Sequence, residues 1–352
     1  MHKNEYTAIG LMSGTSLDGL DIACCEFQKD GERWNFRIIC AETIPYDPAR
    51  RQALASLENA SSCDFVMADI EYGHFLGRMA AGFISRNGLS PRLIASHGHT
   101  IFHRPEQGFT CQIGRGSAIA AETGIPVVCD FRTLDVALGG QGAPLVPIGD
   151  ALLFSDYDYC LNIGGFANIS HQQAGKRLAW DICPANIVLN RLAGRMGRDY
   201  DHDGELAARG EIIPTLLDRL NALAFYAAAP PKSLGKEWVE KQVMPLLDMA
   251  DLPVQDLLAT FCEHIAVMVA RSCGSDKNQK LLVTGGGAFN SHLMRRIRDH
   301  ASPRIIVPDP LTVNFKEALI FAFLGVLRMR GEVNCLKSVT GATRDSSSGA
   351  IY

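Results

Sequence analysis

The feature that most constrains this chain is a hairpin near its start whose turn consists of glycine, hydroxyl and carboxylate residues. An apolar run over residues 7–12 leads into Ser13-Gly14-Thr15-Ser16, and a second run over residues 20–27 follows Asp18-Gly19. Two β-type apolar runs around a short glycine-containing turn predict a β-hairpin. Glycine lets the backbone approach a ligand closely, and backbone N–H groups bind anions. The stretch predicts either a phosphate-binding turn or an ordinary polar hairpin.

The turn also carries carboxylates, Asp18 and Asp21, that can hold Mg²⁺ directly or through water. It is not a P-loop, because Leu20 follows Gly19 where that motif needs lysine. It is not a dinucleotide fingerprint either, because the chain continues into a strand and not a helix. A phosphate bound here would bind across a β-hairpin.

Similar glycine turns recur in the second half of the chain. A predicted strand over residues 159–163 runs into Gly164-Gly165 and on to Asn168, and another over residues 281–283 runs into Gly285-Gly286-Gly287. Repetition of one supersecondary unit indicates a duplicated domain. Two facing hairpins would clamp the phosphates of a nucleotide, and the triple glycine would let its base or ribose pack against bare backbone.

Length and composition narrow the class of protein. The 352 residues predict two domains or one large one, and 47% hydrophobic residues support a full core. A net charge of −4 without a dense basic block makes nucleic acid and anionic membrane poor partners. We find no signal-peptide pattern and no apolar run of transmembrane length. The 11 scattered cysteines, without a C-x-x-C pair, are expected to be reduced thiols in the cytoplasm.

A glycine-rich stretch over residues 139–144 has the composition of a linker. It predicts an N-terminal domain over residues 1–140 and a C-terminal domain over residues 141–352. The last helix is free to pack back on the first domain.

Several polar residues near predicted strand ends are candidates for ligand contacts. His97 and His99 would share one face of a strand, as in some metal hydrolases, although no later histidine lies in a convincing motif. A polar substrate contact and a satisfied loop histidine are the other interpretations. Arg132 follows a predicted strand over residues 125–129 and is either placed to bind an anionic or hydroxylated ligand or exposed in a loop.

Two carboxylates complete the candidates. A short strand carries Asp181 to a point before Pro184, where a helix is expected to start. Such a carboxylate can act as a general base or can cap a helix. Glu317 lies near the start of a final helix predicted over residues 314–330, where the helix dipole alone would favour an acid.

Eight motifs together carry a specific resemblance. In chain order they are Gly-Leu-Met-Ser-Gly-Thr-Ser-Leu-Asp-Gly-Leu-Asp, Ser-His-Gly-His-Thr, Asp-Phe-Arg, Gly-Gly-Gln-Gly-Ala-Pro-Leu-Val-Pro, Leu-Asn-Ile-Gly-Gly-Phe-Ala-Asn-Ile, Trp-Asp-Ile-Cys-Pro-Ala-Asn, Pro-Pro-Lys-Ser and Thr-Gly-Gly-Gly-Ala-Phe-Asn. The set spans nearly the whole chain and closely resembles the anhydro-N-acetylmuramic acid kinase family.

The resemblance implies an α/β fold, with two ribonuclease-H-like domains of the actin and hexokinase type around a central interdomain cleft. It also implies ATP and Mg²⁺ as cofactors, a cytosolic homodimer, and a role in peptidoglycan recycling and amino-sugar catabolism. In the implied reaction, water opens the anhydro bridge of 1,6-anhydro-N-acetylmuramic acid while O6 takes the γ-phosphoryl group. The products are N-acetylmuramic acid 6-phosphate and ADP.

The resemblance also assigns roles to residues. Asp181 would activate the water, and Glu317 would help to hold it. Thr15, His97 and Arg132 would contact the sugar or its lactyl carboxylate. ATP contacts would come from Gly14, Thr15, Ser16, Leu17, Asp18, Gly19, Leu20 and Asp21, with Asp18 beside Mg²⁺, and from Gly164, Gly165, Asn168, Gly285, Gly286 and Gly287.

The chain departs from the family pattern at several positions. Ile182, Cys183 and Ala185 stand where the family commonly has threonine and two glycines, and His99 and Arg115 stand where it often has glutamine and aspartate. These changes leave Asp181 in place but alter its surroundings. The alternatives are therefore a kinase of a related sugar, a metal-dependent hydrolase using His97 and His99, and a non-catalytic actin-like ATP-binding protein.

Overall fold

In the computed structural model, which describes residues 4–14, 17–248 and 252–352, the predicted opening hairpin is present. The strands are β1 Glu5–Ser13, β2 Gly19–Asp30, β3 Arg33–Pro45, β4 Leu93–Ser96, β5 His99–Arg104, β6 Phe109–Ile113, β7 Val127–Cys129, β8 Tyr159–Ile163, β9 Phe166–Gln173, β10 Lys176–Pro184, β11 Lys280–Thr284, β12 Arg304–Ile306 and β13 Ala350–Ile351.

The helices lie between and after these groups of strands. They are α1 Pro48–Ser56, α2 Ser62–Arg86, α3 Gly116–Thr123, α4 Thr133–Ala137, α5 Val146–Leu153, α6 Asn186–Gly194, α7 Pro214–Asn221, α8 Ala224–Ala227, α9 Lys236–Trp238, α10 Met244–Asp248, α11 Val254–Ser272, α12 Ser291–His300, α13 Pro310–Met329 and α14 Lys337–Thr340. Short 3₁₀ turns cover Leu57–Asn59, Pro105–Gln107, His202–Gly204, Ala207–Arg209 and Gly286–Phe289, and Val239–Val243 is π-helical.

The chain divides into two compact units. The first unit comprises Met1–Leu153 and Phe315–Tyr352, and the second comprises Phe154–Asn314. The predicted boundary near residue 140 differs from this division, because residues 141–153 group with the first unit. The last long helix also groups with the first unit from Phe315 onward, as the sequence analysis allowed. The reason is packing: α5 is largely buried, and a side chain at its Gly149 would collide with Ile320 of α13.

The sheet of the first unit has the strand order β13-β7-β4-β1-β2-β3. β1, β2 and β3 are antiparallel neighbours, with Ser13 opposite Leu20 at the closed end of the hairpin. β4 runs parallel to β1, and β7 runs parallel to β4.

The sheet of the second unit repeats this plan with the order β10-β9-β8-β11-β12. β8, β9 and β10 are antiparallel, and β11 and β12 are parallel to β8. Three antiparallel strands extended on the side of the first by two parallel strands define the ribonuclease-H-like plan in both units. The expected duplicated α/β fold is therefore confirmed.

Helix α13 passes from one unit into the other. Its backbone leaves helical geometry at Phe315 (φ −114°, ψ 16°), the first residue of the C-terminal segment of the first unit. Beyond this point the helix lies directly on the sheet, because a side chain at Gly10 of β1 would overlap the carbonyl of Ala318. Glycine at position 10 allows this close approach.

The composition of α13 corrects one expectation. By length and apolar content it resembles a membrane-spanning helix, although no such run was expected from the sequence. In the structure, 78% of its most apolar window is buried within the protein, as is usual for a core helix.

Candidate active site

The turn between β1 and β2 is where the first group of candidates lies. Thr15 and Ser16 fall outside the described residues. Leu17 has a left-handed backbone (φ 60°), and its N–H donates to the Gly14 carbonyl at 3.2 Å. Gly19 is required by the sheet itself, since a side chain there would collide with the Ile44 carbonyl of β3.

Carboxylates of the first unit repel one another near this turn. Asp21 accepts a 2.5 Å hydrogen bond from the Thr43 hydroxyl, and its pKa is raised by burial and by the charge of Asp18. Glu317 has exposed surface, yet the protein around its carboxyl and the charge of Asp21 raise its pKa, while Arg132 opposes the rise. A cation at the turn would relieve this repulsion.

His97 does not present a free nitrogen to a ligand. Arg132 donates to its Nε2 from Nε at 3.1 Å and from Nη2 at 2.8 Å. The ring Nδ1 lies 2.9 Å from the Gly98 carbonyl and must donate to it. Burial and the Arg132 charge hold the pKa of His97 well below its usual range, so the ring is neutral with its proton on Nδ1. The predicted direct contact of His97 with a substrate is therefore not what the geometry favours.

Arg132 is the residue of this pair that remains available. Besides its bonds to His97, its Nη1 donates to the Gly142 carbonyl at 2.7 Å. A guanidinium carries five N–H groups; with only the described residues as partners, these three bonds leave one N–H on Nη1 and one on Nη2. Burial lowers the pKa of Arg132 to about 10, and the group stays cationic at neutral pH. Two parallel donors on one cation match a carboxylate.

His99 belongs to a separate buried chain of hydroxyl groups. Tyr46 donates to Ser13 Oγ at 2.7 Å, and Ser13 Oγ lies 2.9 Å from Nδ1 of His99. Because Tyr46 gives its only proton to Ser13, Tyr72, 2.6 Å away, must donate to Tyr46. Ser13 then donates to His99 Nδ1, which leaves the proton of the neutral ring on Nε2. Burial lowers the pKa of His99 to about 4.

The predicted metal pair of His97 and His99 is not formed. Gly98 between them has φ 71°, so the two rings do not follow the alternation of a strand. Within the described ranges, no group of three histidine, cysteine or carboxylate side chains is arranged to hold a metal ion. The geometry does not favour a metal-dependent hydrolase.

Arg115, one of the departures, is neutralised locally. Its Nε donates to Asp69 of α2 at 2.7 Å, and the same carboxylate accepts from the N–H of Gly114 at 2.8 Å. The arginine therefore fixes the β6–α3 turn to α2, and its charge is paired.

In the second unit, the Gly164-Gly165 turn is held by the start of α6. The carbonyl of Gly165 accepts from the Ala185 N–H at 2.8 Å, and that of Gly164 accepts from the Asn186 N–H at 3.1 Å. Among the described residues, a side chain at Gly165 would meet only Ile187, 4.0 Å away. Packing against the described residues therefore does not require glycine at this position.

The triple glycine divides into two roles. Gly285 has φ +83°, and a side chain on Gly285 or Gly287 would collide with β8 at Ile163. A side chain on Gly286 would meet only Asn186 Nδ2 at 3.7 Å. Gly285 and Gly287 thus serve the fold, and Gly286 leaves open space. Asn186, for which the sequence predicted no role, lies beside it, and its Nδ2 donates to the Ile163 carbonyl at 3.3 Å.

Asp181 lies within β10 and not at its end. It is opposite Asn168 of β9, and the register shifts between Asp181 and Cys183. Such a bulge re-aims a side chain. The Asp181 N–H donates to the Lys232 carbonyl at 3.0 Å, and Oδ2 accepts from the Leu234 N–H at 2.8 Å. Burial raises the pKa of Asp181 and the Leu234 N–H opposes the rise. In the part of the chain that the structure describes, no hydrogen bond to Oδ1 is present.

The departures beside Asp181 are core residues. Ile182, Cys183 and Ala185 are at most 3% exposed and belong to the hydrophobic core of the second unit. They fill space in that core.

Two ribonuclease-H-like units, glycine turns that leave open space and a poorly solvated carboxylate on a bulged strand define the actin and hexokinase-like class of nucleotide-dependent proteins. The sequence profile of one family within that class, described as anhydro-N-acetylmuramic acid kinase, matches residues 6–352. The chain therefore belongs to the anhydro-N-acetylmuramic acid kinase family.

Curated relatives agree with this membership. The chain is 39% identical over 368 residues to the anhydro-N-acetylmuramic acid kinase of Pseudomonas putida, which covers 98% of both chains. It is 37% identical to that of Variovorax paradoxus, again over 98% of both chains. The protein of the same name from Acinetobacter baylyi is 35% identical over 95% of this chain and 96% of its own.

Solved structures with this arrangement are more distant. A glucokinase of the ROK family from Streptomyces griseus, in complex with glucose and AMPPNP, is 14% identical with a TM-score of 0.40, over 91% of this chain and 99% of its own. The likeness is too remote to bear on activity.

Proposed function

We propose that this chain is an ATP-dependent kinase that opens 1,6-anhydro-N-acetylmuramic acid with water and phosphorylates O6, giving N-acetylmuramic acid 6-phosphate and ADP. The proposal rests on family membership. The observation that carries it is Asp181, whose carboxylate is fixed through Oδ2, is poorly solvated, and has Oδ1 left to take a proton. A carboxylate with a raised pKa is a better base near neutral pH.

In the proposed step, the bridge oxygen O6 is transferred from the anomeric carbon to the γ-phosphorus. Asp181 takes a proton from water, and the water oxygen forms a bond to the anomeric carbon as the bond from that carbon to O6 breaks. O6 forms a bond to the γ-phosphorus, and the bond from that phosphorus to the ADP oxygen breaks. Departure of O6 is assisted because its developing charge passes to the phosphoryl group.

Arg132 is the proposed contact for the lactyl carboxylate of the sugar. Its two remaining N–H groups lie on different terminal nitrogens and suit a bidentate pair. His97 then acts through Arg132 instead of touching the sugar. Thr15 and Glu317 keep their predicted roles, toward the sugar and the attacking water respectively.

ATP would be held by residues 14–21, by Gly164, Gly165 and Asn168, and by Gly285 to Gly287. The open space at Gly165 and Gly286 supports this assignment. Mg²⁺ would lie beside Asp18, and the mutual repulsion of Asp18, Asp21 and Glu317 fits a cation there. Bound Mg²⁺ would neutralise phosphate charge during transfer. That the two units close over a shared cleft stays a prediction.

The cellular context is proposed on the family and on composition. We infer a cytoplasmic homodimer acting in peptidoglycan recycling and amino-sugar catabolism. A net charge of −4 supports small-molecule substrates in place of nucleic acid or membrane.

The reaction is tested with ATP, the anhydro sugar and ¹⁸O-labelled water. Label is expected in the anomeric hydroxyl and none in the phosphate. Asp181→Asn should lower kcat by at least about 10²-fold, whereas Asp276→Asn, the same change at an exposed loop of the second unit, should not. Near-normal turnover of Asp181→Asn, or sugar cleavage without ATP, would defeat the proposal.

A further inference from the structure

A short segment, residues 231–234, borders β10 beside Asp181 and is named the strap here. It contacts Asp181 twice, through the Lys232 carbonyl at 3.0 Å from the Asp181 N–H and through the Leu234 N–H at 2.8 Å from Oδ2. β10 is an edge strand of its sheet, so the strap occupies backbone positions that an edge would leave unpaired. The strap thus fixes both the main chain and one carboxylate oxygen of Asp181.

Lys232 attaches the strap to the helical turn α8. Its Nζ donates to the carbonyl of Phe225 at 3.0 Å and to that of Tyr226 at 3.4 Å, and it lies 4.7 Å from the centroid of the Phe225 ring. These carbonyls and the ring face are all electron-rich partners for an ammonium. The side chain is therefore directed at the protein and not at a ligand.

The anchor beneath Lys232 is itself rigid. The Tyr226 hydroxyl lies 3.0 Å from Nε2 of the fully buried His264, whose Nδ1 lies 2.7 Å from Oδ1 of Asn221. Trp238 packs against both Phe225 and Tyr226, with ring centroids 5.4 and 6.0 Å apart. Because Lys232 is part of the strap, a lysine held by such a cluster restricts the movement of the strap.

We propose that Lys232 is a positioning residue for Asp181: its ammonium fixes the strap, and the strap holds the carboxylate in one orientation with Oδ1 free. The inference rests on the proposed role of Asp181 as the base. Family membership does not assign this role, which follows from the contacts of Nζ with α8 and of the strap with β10.

The Leu234 N–H also lowers the pKa of Asp181 and so favours the ionised carboxylate, whereas burial raises this pKa. Among the described residues of the second unit, titratable groups near this segment include Cys183 on β10, Lys232 on the strap and Tyr226 on α8. Burial raises the pKa of both Cys183 and Tyr226, so neither carries charge at neutral pH. On β9, Asn168 is uncharged and His171 lies three positions further along, on the other face. Loss of the Leu234 contact should therefore raise the pKa of Asp181.

The test is the pH dependence of kcat in Lys232→Met, Lys232→Arg and the exposed control Lys241→Met. In Lys232→Met we expect kcat to fall about tenfold or more, KM for ATP to stay within about twofold, and the acid limb of the profile to move to higher pH. Lys232→Arg, which keeps a cation over Phe225, should restore most of kcat, and Lys241→Met should match the parent chain. If Lys232→Met does not fold, Lys232→Gln takes its place; its amide NH₂ still donates, but it carries no charge.

Two outcomes separate this inference from the proposed function. Asp181→Asn is measured in parallel, and if it keeps normal turnover the base assignment itself fails. If Asp181→Asn is inactive but Lys232→Met has the parental kcat and acid limb, only the positioning role is overturned. A rise in KM for ATP alone would also overturn it, because it would make Lys232 a nucleotide contact.

Discussion

At the scale of single residues, the pair of His97 and Arg132 shows how a neutral histidine can prepare a cation for binding. The ring accepts at Nε2 only because burial keeps it unprotonated. The Nε2 acceptor of His97 orients the guanidinium of Arg132, and two N–H groups of that guanidinium are left for a carboxylate. Under the proposed function, the histidine would therefore act on specificity without touching the sugar.

His97→Ala should raise KM for the anhydro sugar about tenfold, close to 1.4 kcal/mol of binding free energy, with KM for ATP nearly unchanged. The reason is that Arg132 loses its acceptor and samples other orientations. His97→Gln, whose amide oxygen can accept, should lose less, and the partly exposed His74→Gln serves as the control. Steady-state kinetics with each substrate varied in turn measure the two KM values. Equal increases in KM for the sugar and for ATP would contradict the prediction.

The sequence identified the residues of this pair but not their relation. Arg132 and His97 both lie near ends of predicted strands, so both were expected near a ligand. Which nitrogen carries the proton depends on a hydrogen bond between residues 35 positions apart in the chain. The left-handed backbone of Gly98 also removed the strand alternation that made His97 and His99 look like a metal pair. For Asp181, the sequence located the strand but could not show the bulge.

At the scale of elements, the glycine turns separate fold from ligand contact. Gly286→Ala should leave the free energy of unfolding within about 0.5 kcal/mol of the parent, because its side chain meets open space. Its KM for ATP should nevertheless rise severalfold if the nucleotide approaches the bare backbone. Gly287→Ala is the matched variant, and its collision with Ile163 should cost about 1–3 kcal/mol. Chemical denaturation measures the stability of the two variants, and ATP titration measures their affinity for ATP. An unchanged ATP affinity in Gly286→Ala would show that this turn does not contact the nucleotide.

The duplicated plan was predictable because each glycine cluster directly follows an apolar strand. The boundary at residue 140 was not, because a glycine-rich stretch looks like a linker whether or not it is fixed. Here the N–H of Gly142 donates to the buried Asp135 at 2.8 Å, and the Thr340 hydroxyl donates to the same carboxylate at 2.8 Å. A hydrogen bond between residues 205 positions apart cannot be predicted from the local sequence around either residue.

At the scale of the whole molecule, each unit contains a buried neutral histidine, and stability should depend on pH. Burial lowers the pKa of His99 to about 4 and that of His264 to about 3. Both values lie below the value of about 6.5 in an unfolded chain, so the unfolded state binds more protons. Stability should therefore rise with pH. As pH falls below about 6.5 it should be lost progressively, down to about 4 for His99 and to about 3 for His264, by up to about 1.4 kcal/mol per pH unit for each histidine.

Urea denaturation at a series of pH values gives the slope of the unfolding free energy against pH for each unit. His264→Gln should reduce the slope of the second unit by about one proton, while the exposed His202→Gln should leave it unchanged. A slope in His264→Gln equal to that of the parent would show that His264 is not the proton acceptor. Because two units are present, each transition is followed with its own probe.

The assembly of the first unit from both ends of the chain has a consequence for synthesis. Its sheet includes β13, paired with β7, and its core includes α13 beyond Phe315, whereas the second unit is one continuous segment. A ribosome makes the chain from the N-terminus, so the later-encoded second unit can finish folding while the earlier one still waits for its last helix and strand. The half of the protein that is translated first is completed last.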